Sequence, residues 1–338
     1  MRIAVYGAAG HTARFVLAEL LRRGHTPVAI GRDELKLAAA VAAYDGVVER
    51  RVAGLDSPES LDRALAGAGA VIHCAGPFLD TAEPLIAAAL RTRVHYFDLA
   101  AEQGSALSTF ERFGALAAER GILLVPAAGF YGGLGDLLAT AAMDGFPRAE
   151  LIEIGIALDS WWPTDGTRRT GQRNTLPRVV FSDGRLEQLQ SPATRSWDFP
   201  KPFGPQDVIE VPLTETVLIA RHLPVREIRN FMNQTPLRDL GNPATPGPVA
   251  VDERGRSNQH FLVEAIARNG DEEHRITAAG RDIYAVTAPI VVEAVERVCT
   301  GRQPRAGAFA LGQLVDARDF LLTLASAGDI AIASGAPQ

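Results

Sequence analysis

The stretch Gly7-Ala8-Ala9-Gly10-His11-Thr12-Ala13 leaves an apolar run and enters an amphipathic one. Gly7 suits a tight turn out of a strand, and Gly10 lets the backbone approach a pyrophosphate. Ala13 is small enough for helix and strand to pack closely. The helix that follows offers unpaired N–H groups and a partial positive charge to phosphates. Alone, a Gly-x-x-Gly-x-x-Ala run also fits a plain strand-to-helix turn. Its place in the first βαβ unit is what points to a dinucleotide. One strand later the chain reads Gly31-Arg32, where a carboxylate would accept from a ribose 2′-OH. Arg32 can instead pair with a 2′-phosphate, a contact worth about 1.5–3 kcal/mol. Its plain alternative is an exposed surface arginine. The expected cofactor is NADP(H).

Three further loops follow predicted strands and face the same end of the sheet, where ligands of such folds bind. They are His73–Phe78, His95–Glu102 and Val125–Asp136. Ala75-Gly76 would let the backbone approach the nicotinamide-side ribose. A reductase also needs a proton donor. Tyr131 leads the candidates by its position, with a ring packed over the cofactor as the alternative. Glu102 and Asp98 follow, because a desolvated carboxyl holds its proton near neutral pH. His222 and His260 are more distant candidates in the second domain. The cluster Asp159–Arg173 is a candidate substrate wall with Phe130 and Tyr131. Trp161 and Trp162 would form an apolar face, and Arg168, Arg169 and Arg173 would grip a carboxylate. The competing reading of that cluster is an exposed loop or part of a dimer interface.

The elements that must position these residues are legible as alternating apolar runs. Strands are predicted at Ile3–Tyr6, Pro27–Ile30, Val48–Val52, Ala70–Cys74, His95–Leu99 and Ile122–Val125. Helices are predicted at Arg14–Arg23, Glu34–Tyr44, Pro58–Leu65, Ala82–Arg91 and Ser105–Glu119. Six strands with five crossovers make a doubly wound parallel sheet. After Asp136 the rhythm changes to a helix (Leu137–Met143), a strand (Leu151–Leu158) and hairpins at Asp183-Gly184 and Asn269-Gly270. The proline- and glycine-rich stretch 234–258 reads as a long loop, a lid or a dimer arm. Two helices close the chain, Val286–Cys299 and Ala317–Leu324. The fold class is therefore α/β: a Rossmann domain (1–136), then an α+β domain around a mostly antiparallel sheet (137–285). Residues 286–338 are expected to pack back on the first domain.

At 338 residues the length favours two domains, and 47% hydrophobic with 22% charged residues reads as a soluble globular chain. A net charge of −6 argues against a nucleic-acid partner. No apolar run is long enough for a membrane span, and the N-terminus opens directly on a strand, so a cytoplasmic location is expected. Cys74 and Cys299 are the only cysteines, too few for a disulfide framework or a cysteine-rich zinc site. No metal is expected, and a homodimer is plausible for a sheet-rich second domain.

The series GAAGHTA, GRDELKL, CAGPF, HYFDLAAE and LVPAAGF, in this order and spacing, resembles the saccharopine dehydrogenase-like family of NADP-binding oxidoreductases. The closing GRDIYAVTAPIVVEAVERV and DARDFL resemble the tail of the same group. The resemblance covers residues 1–136 and roughly 280–325. It implies that the backbone from Gly7 through Ala9, Gly10 and His11 to Thr12 holds the pyrophosphate, and that Arg32 reads the 2′-phosphate. It also implies that Cys74, Ala75, Gly76, Pro77 and Phe78 line the nicotinamide end. One departure stands out. Members often read Gly-Phe-Asp-Ser-Val-Pro-Ser-Asp where this chain has Gly129-Phe130-Tyr131-Gly132-Gly133-Leu134-Gly135-Asp136. Saccharopine itself is not the expected substrate.

Lys36 and Lys201 are the only lysines, and Arg32 and Trp197 stand four residues before them. That excludes the Tyr-x-x-x-Lys mechanism of short-chain dehydrogenases. A Gly-Lys phosphate loop and a Gly-x-Ser-x-Gly elbow are also absent from the sequence. The expected activity is hydride transfer from NADPH to a C=N, C=C or C=O bond of a small molecule. The alternative is an NADPH-binding sensor or scaffold without turnover.

Overall fold

The computed structural model describes residues 1–300 and 305–335. In chain order the first strands are β1 (Arg2–Tyr6), β2 (Thr26–Gly31), β3 (Glu49–Val52), β4 (Ala70–His73), β5 (His95–Asp98), β6 (Leu123–Val125), β7 (Ala149–Leu158) and β8 (Val179–Ser182). Then come β9 (Arg185–Gln188), β10 (Thr194–Asp198), β11 (Pro205–Glu210), β12 (Val225–Asn233), β13 (His260–Asn269), β14 (Glu272–Arg281), β15 (Gly307–Ala308) and β16 (Ile330–Gly335). The helices begin with α1 (His11–Arg22), α2 (Glu34–Val41), α3 (Pro58–Leu65), α4 (Phe78–Thr92), α5 (Gln103–Ser108) and α6 (Gly114–Arg120). They continue with α7 (Gly133–Ala142), α8 (Asp165–Arg173), α9 (Thr214–Ala220), α10 (Gln234–Gly241), α11 (Ile283–Thr300) and α12 (Ala317–Ser326).

The chain divides into two units. The first holds residues 1–129, 169–174, 287–300 and 305–309. Its sheet runs β15-β6-β5-β4-β1-β2-β3 with every neighbouring pair parallel. Without β15 this is the doubly wound order, whose direction reverses between β1 and β4. Ile3, Ala4 and Val5 are all fully buried, as a parallel strand covered on both faces requires. In α1 the buried residues are Ala13, Phe15, Val16, Leu17 and Leu20, one apolar stripe at helical spacing. Each such leucine contributes about 1.5–3 kcal/mol by leaving water. Ser57 caps α3 by accepting from Ser60 N–H, with Pro58 at the first helical position. The edge strand β3 reads Glu-Arg-Arg-Val and is largely exposed, a charged edge that discourages further pairing. The single helix expected over Ser105–Glu119 is α5 and α6 joined by a π-helical turn at Thr109–Phe113.

The second unit holds residues 130–168, 175–286 and 310–335. Its sheet runs β10-β11-β12-β7-β13-β14-β16, with β8 on β12 and β9 on β8. All pairs are antiparallel except β12 with β7. The first expected hairpin turns at Asp183 (φ 48°) and Gly184 (φ 76°), the positive-φ pair of a type I′ turn. Between β13 and β14 the turn is made by Gly270 (φ 60°) and Asp271.

Three sequence expectations are corrected here. The doubly wound unit closes at Gly129, so Phe130–Asp136 belong to the second unit. The closing helices do not act together: residues 287–300 of α11 join the first unit, whereas α12 and β16 belong to the second. There β16 pairs with β14, giving the sheet an edge strand that no alternation in the sequence announced. Finally, the stretch 234–258 is not all loop, because α10 occupies Gln234–Gly241. Among the described residues, no helix is long and apolar enough to cross a membrane.

Candidate functional site

The glycine loop is bound to the end of β2 from two sides. Gly7 N–H and Ala8 N–H both donate to Ile30 O, at 2.9 and 3.1 Å, and Gly10 N–H donates to Gly7 O at 2.8 Å. Gly7 has φ +81°, and a Cβ there would stand 2.6 Å from Ala75 Cβ. Only glycine serves at such a point, since the left-handed backbone and the neighbouring loop both exclude a side chain. Gly10 is the N-cap of α1 and has no side chain to cap it, and the first turn carries no acid. Ala9 and Gly10 are exposed, His11 and Thr12 half-buried. The loop thus presents bare backbone and the positive end of a 12-residue helix, which fits a pyrophosphate.

Arg32 stands at the end of β2, exposed and without an ion pair among the described residues. Its charge is felt by Tyr6, whose phenol burial pushes up to about 12. The neighbouring carboxylate does not face a ribose. Asp33 Oδ1 accepts Lys36 N–H at 3.0 Å and caps α2. The residues present therefore fit a 2′-phosphate better than a 2′-hydroxyl.

The loop after β4 is organised by a histidine that the sequence reading did not single out. His73 is fully buried, and desolvation lowers its pKa to about 3, so the ring is neutral. Nδ1 faces Ala75 N–H at 3.5 Å, which leaves the proton on Nε2 for Thr81 Oγ1 at 3.0 Å. Thr81 then donates to Ala75 O (2.7 Å) or Pro77 O (2.9 Å). This chain of contacts fixes Cys74, Ala75, Gly76 and Pro77, all half-buried, while Phe78 packs edge-on to His73. Burial raises the Cys74 thiol far above its ordinary range, so it is no nucleophile. Thr170 Oγ1 lies 2.6 Å from where a Gly76 Cβ would be, and Arg173 pairs with Asp80 at 2.8 Å. The signal for this arrangement was the polar spacing His73…Thr81 within an otherwise apolar run.

The two expected carboxylates of the first unit have different surroundings. Asp98 is fully buried, and Oδ1 accepts Ala127 N–H (2.7 Å) and Ala100 N–H (3.0 Å) while Oδ2 accepts Tyr96 O–H (2.9 Å). Desolvation raises its pKa, against these hydrogen bonds. Its bonds join β5 to the loop after β6, which is the work of a structural carboxylate and corrects the expectation of a proton donor. Asp98→Ala is expected to cost about 3–5 kcal/mol, because three buried donors lose their acceptor; urea unfolding of the variant checks it. Glu102 Oε1 accepts Phe78 N–H at 2.8 Å and Oε2 accepts Ala101 N–H at 3.1 Å. Burial lifts its pKa to about 7. Both oxygens are engaged in holding the start of α4, so Glu102 positions the Cys74–Phe78 loop.

In the second unit Tyr131 meets the expected aromatic wall. Its ring centroid is 4.9 Å from Phe130 and 5.7 Å from Trp161. The hydroxyl is buried with no hydrogen-bond partner, and desolvation carries its pKa well above 10. Trp161 Nε1–H donates to Tyr284 Oη at 3.0 Å, and Tyr284 also contacts Thr167 Oγ1 at 2.8 Å. Phe130 packs into the interior against Phe261. Trp162 is half-buried. Arg168 is corrected: its guanidinium donates to the backbone carbonyls of Leu240, Asn242 and Thr245, so it ties down a loop rather than gripping a carboxylate. With Arg173 on Asp80, Arg169 is the exposed member of the three without an ion pair among the described residues.

One residue of this unit escaped the sequence reading. Glu215, on the seven-residue α9, is fully buried. Oε1 accepts Gly132 N–H at 2.8 Å, while Oε2 has no hydrogen-bond partner. Its Cγ would lie 2.4 Å from a Cβ on Gly135, so the glycines of this corner make room for it. Asp136 accepts Gly312 N–H at 2.7 Å and pairs with His222 Nε2 at 2.7 Å. His222 is thereby removed from the proton donors. His260, exposed, pairs with Asp159 at 2.9 Å.

Residues 3–121 match the family of the saccharopine dehydrogenase NADP binding domain. The saccharopine dehydrogenase-like oxidoreductase of Bos taurus is 26% identical over 148 residues, covering 38% of this chain and 34% of that protein. Its Rattus norvegicus counterpart is 25% identical over 149 residues, again 38% and 34%. The match thus spans about a third of the curated relatives. Among solved structures, apo histidine-tagged saccharopine dehydrogenase (L-Glu forming) from Saccharomyces cerevisiae has a TM-score of 0.67. It covers 99% of this chain and 100% of its own at 12% identity, a likeness of fold.

Proposed function

We propose that this chain, whose residues 3–121 match the saccharopine dehydrogenase NADP binding domain, is an NADPH-dependent reductase of a C=N, C=C or C=O bond in a small metabolite. The observation that carries this reading is the uncapped N-terminus of α1 behind Gly7 and Gly10, with unpaired Arg32 one strand away. The cofactor supplies the hydride when bound. The backbone from Gly7 to Thr12 would hold the pyrophosphate, and Arg32 would hold the 2′-phosphate. His73 and Glu102 keep the Cys74–Phe78 backbone in place for the nicotinamide end. Tyr131 is the proposed proton donor. Its raised pKa keeps the hydroxyl protonated, and transfer to the much more basic oxygen or nitrogen left by hydride addition runs downhill. A homodimer is the proposed assembly.

The test is NADPH oxidation by the full chain, followed at the cofactor's absorbance, against a panel of cyclic imines, enoyl compounds and ketones. Turnover with one class and not with NADH supports the reading. NADPH binding with no turnover on any class contradicts it, in favour of a cofactor-bound sensor.

A further inference from the structure

Tyr131 Oη and Glu215 Oε2 are both buried side-chain atoms of the second unit that find no protein partner. They belong to one corner, since Glu215 Oε1 accepts the N–H of Gly132, the residue next to Tyr131, at 2.8 Å, and after burial and Tyr284 the charge of Glu215 also acts on the Tyr131 hydroxyl. Native interiors rarely leave two such atoms unsatisfied in one corner, because each has given up water for nothing. Tyr131 has a proton to donate, and Glu215 has a lone pair or, when protonated, a second proton. The Tyr131 ring packs against those of Phe130 and Trp161.

We propose that Tyr131 and Glu215 form a substrate subsite for one neutral oxygen function, a hydroxyl or a carbonyl, and that Glu215, when ionised, makes this subsite reject carboxylates. A hydroxyl satisfies both atoms at once, accepting from Tyr131 O–H and donating to Glu215 Oε2. A carbonyl oxygen accepts from both, which requires the acid form of Glu215. A carboxylate would bring a second negative charge beside ionised Glu215 into a buried site, at high cost. Among the described residues, the groups acting on Glu215 include one cation, which offsets that cost only in part. From α7 they are Asp136, itself paired with His222, and from the segment before β8 Arg178, whose Nη1 donates to Pro212 O at 2.7 Å. The β12 side presents uncharged Asn230, which accepts from Thr216 at 3.1 Å. The inference rests on the reductase reading only in calling the ligand a substrate.

Burial sets the Glu215 pKa at about 7, with Asp136 adding to the rise and the Gly132 N–H and Arg178 opposing it. Affinity for a carbonyl is therefore present below pH 7 and lost above it, while affinity for an alcohol persists. The experiment is a cofactor-free, ligand-observed NMR titration of the full chain with cyclohexanone, cyclohexanol and cyclohexanecarboxylate near pH 6 and pH 8. Cyclohexanone should weaken roughly tenfold across that interval, as the acid fraction of a group titrating midway falls. Cyclohexanol should change little, and the carboxylate should not bind at pH 8, where Glu215 is ionised. Tyr131→Phe should weaken both neutral ligands. The near-isosteric Glu215→Gln should abolish the pH dependence for cyclohexanone and admit the carboxylate. Absence of binding, equal binding of all three ligands at pH 8, or a pH dependence that survives in Glu215→Gln would overturn the subsite. None of these outcomes bears on NADPH binding, so the subsite and the reductase reading fail separately.

Discussion

Replacing Tyr131 by phenylalanine should slow NADPH-dependent turnover by roughly 10²–10⁴-fold, the usual worth of a positioned proton donor, with NADPH affinity unchanged. The substitution removes one oxygen without a hydrogen-bond partner among the described residues and keeps the ring against Phe130 and Trp161. Stability should therefore hold or rise slightly, because an unsatisfied buried hydroxyl is lost. Single-turnover rates with the best substrate of the panel, alongside urea unfolding, separate chemistry from folding. Full turnover in the variant would remove Tyr131 from the mechanism and leave its ring as packing.

The second large effect is expected at Arg32. Arg32→Ala should weaken NADPH binding by ~10–150-fold, the equivalent of about 1.5–3 kcal/mol for a charge-assisted contact, and leave NADH binding nearly unaltered. The argument rests on two neighbours with different commitments. Arg32 carries no ion pair among the described residues, whereas Asp33 is spent on the N-terminus of α2. The loss should shrink at high salt, since the arginine is exposed. Calorimetric titration of wild type and variant with both dinucleotides checks the selectivity. Equal losses for the two cofactors would mean that Arg32 does not read the 2′-phosphate.

What could be read from the sequence is what local chemistry dictates. The glycine loop, the Ser57-Pro58 start of α3 and the hairpin at Asp183-Gly184 each depend on a few adjacent residues, and each is found where its pattern puts it. The candidate site was less legible, because its residues are sorted by distant partners. Arg168, Arg169 and Arg173 look alike in the sequence. They differ because the Leu240–Thr245 backbone takes the first and Asp80 takes the last. Asp98 and Glu102 both read as desolvated acids, yet backbone N–H groups claim every one of their oxygens but the one given to Tyr96.

Glu215 was invisible for a related reason. A glutamate in a seven-residue helix without a side-chain cap carries no local signal of burial, and its environment is assembled by α7 and the loop before it. The clue in the sequence was indirect: Gly132 and Gly135 where members of the resembled family often carry serine. Gly135 gives the Glu215 side chain its space, so the glycines mark a second group arriving from elsewhere in the chain. The strand β16 illustrates the same limit at the level of fold. Its pairing with β14 depends on a sheet edge that only the assembled second unit provides.

The central claim, that the bare backbone of Gly7–Thr12 and the charge of Arg32 hold NADP(H), is tested most directly by titrating the wild-type chain with NADPH and with NADH and following the heat. Tight binding of NADPH, with NADH weaker by at least the ~10-fold that one charge-assisted contact supplies, is the result this account predicts. Equal affinity for the two, or no heat from either, would contradict it and reduce the glycine loop to a turn between β1 and α1.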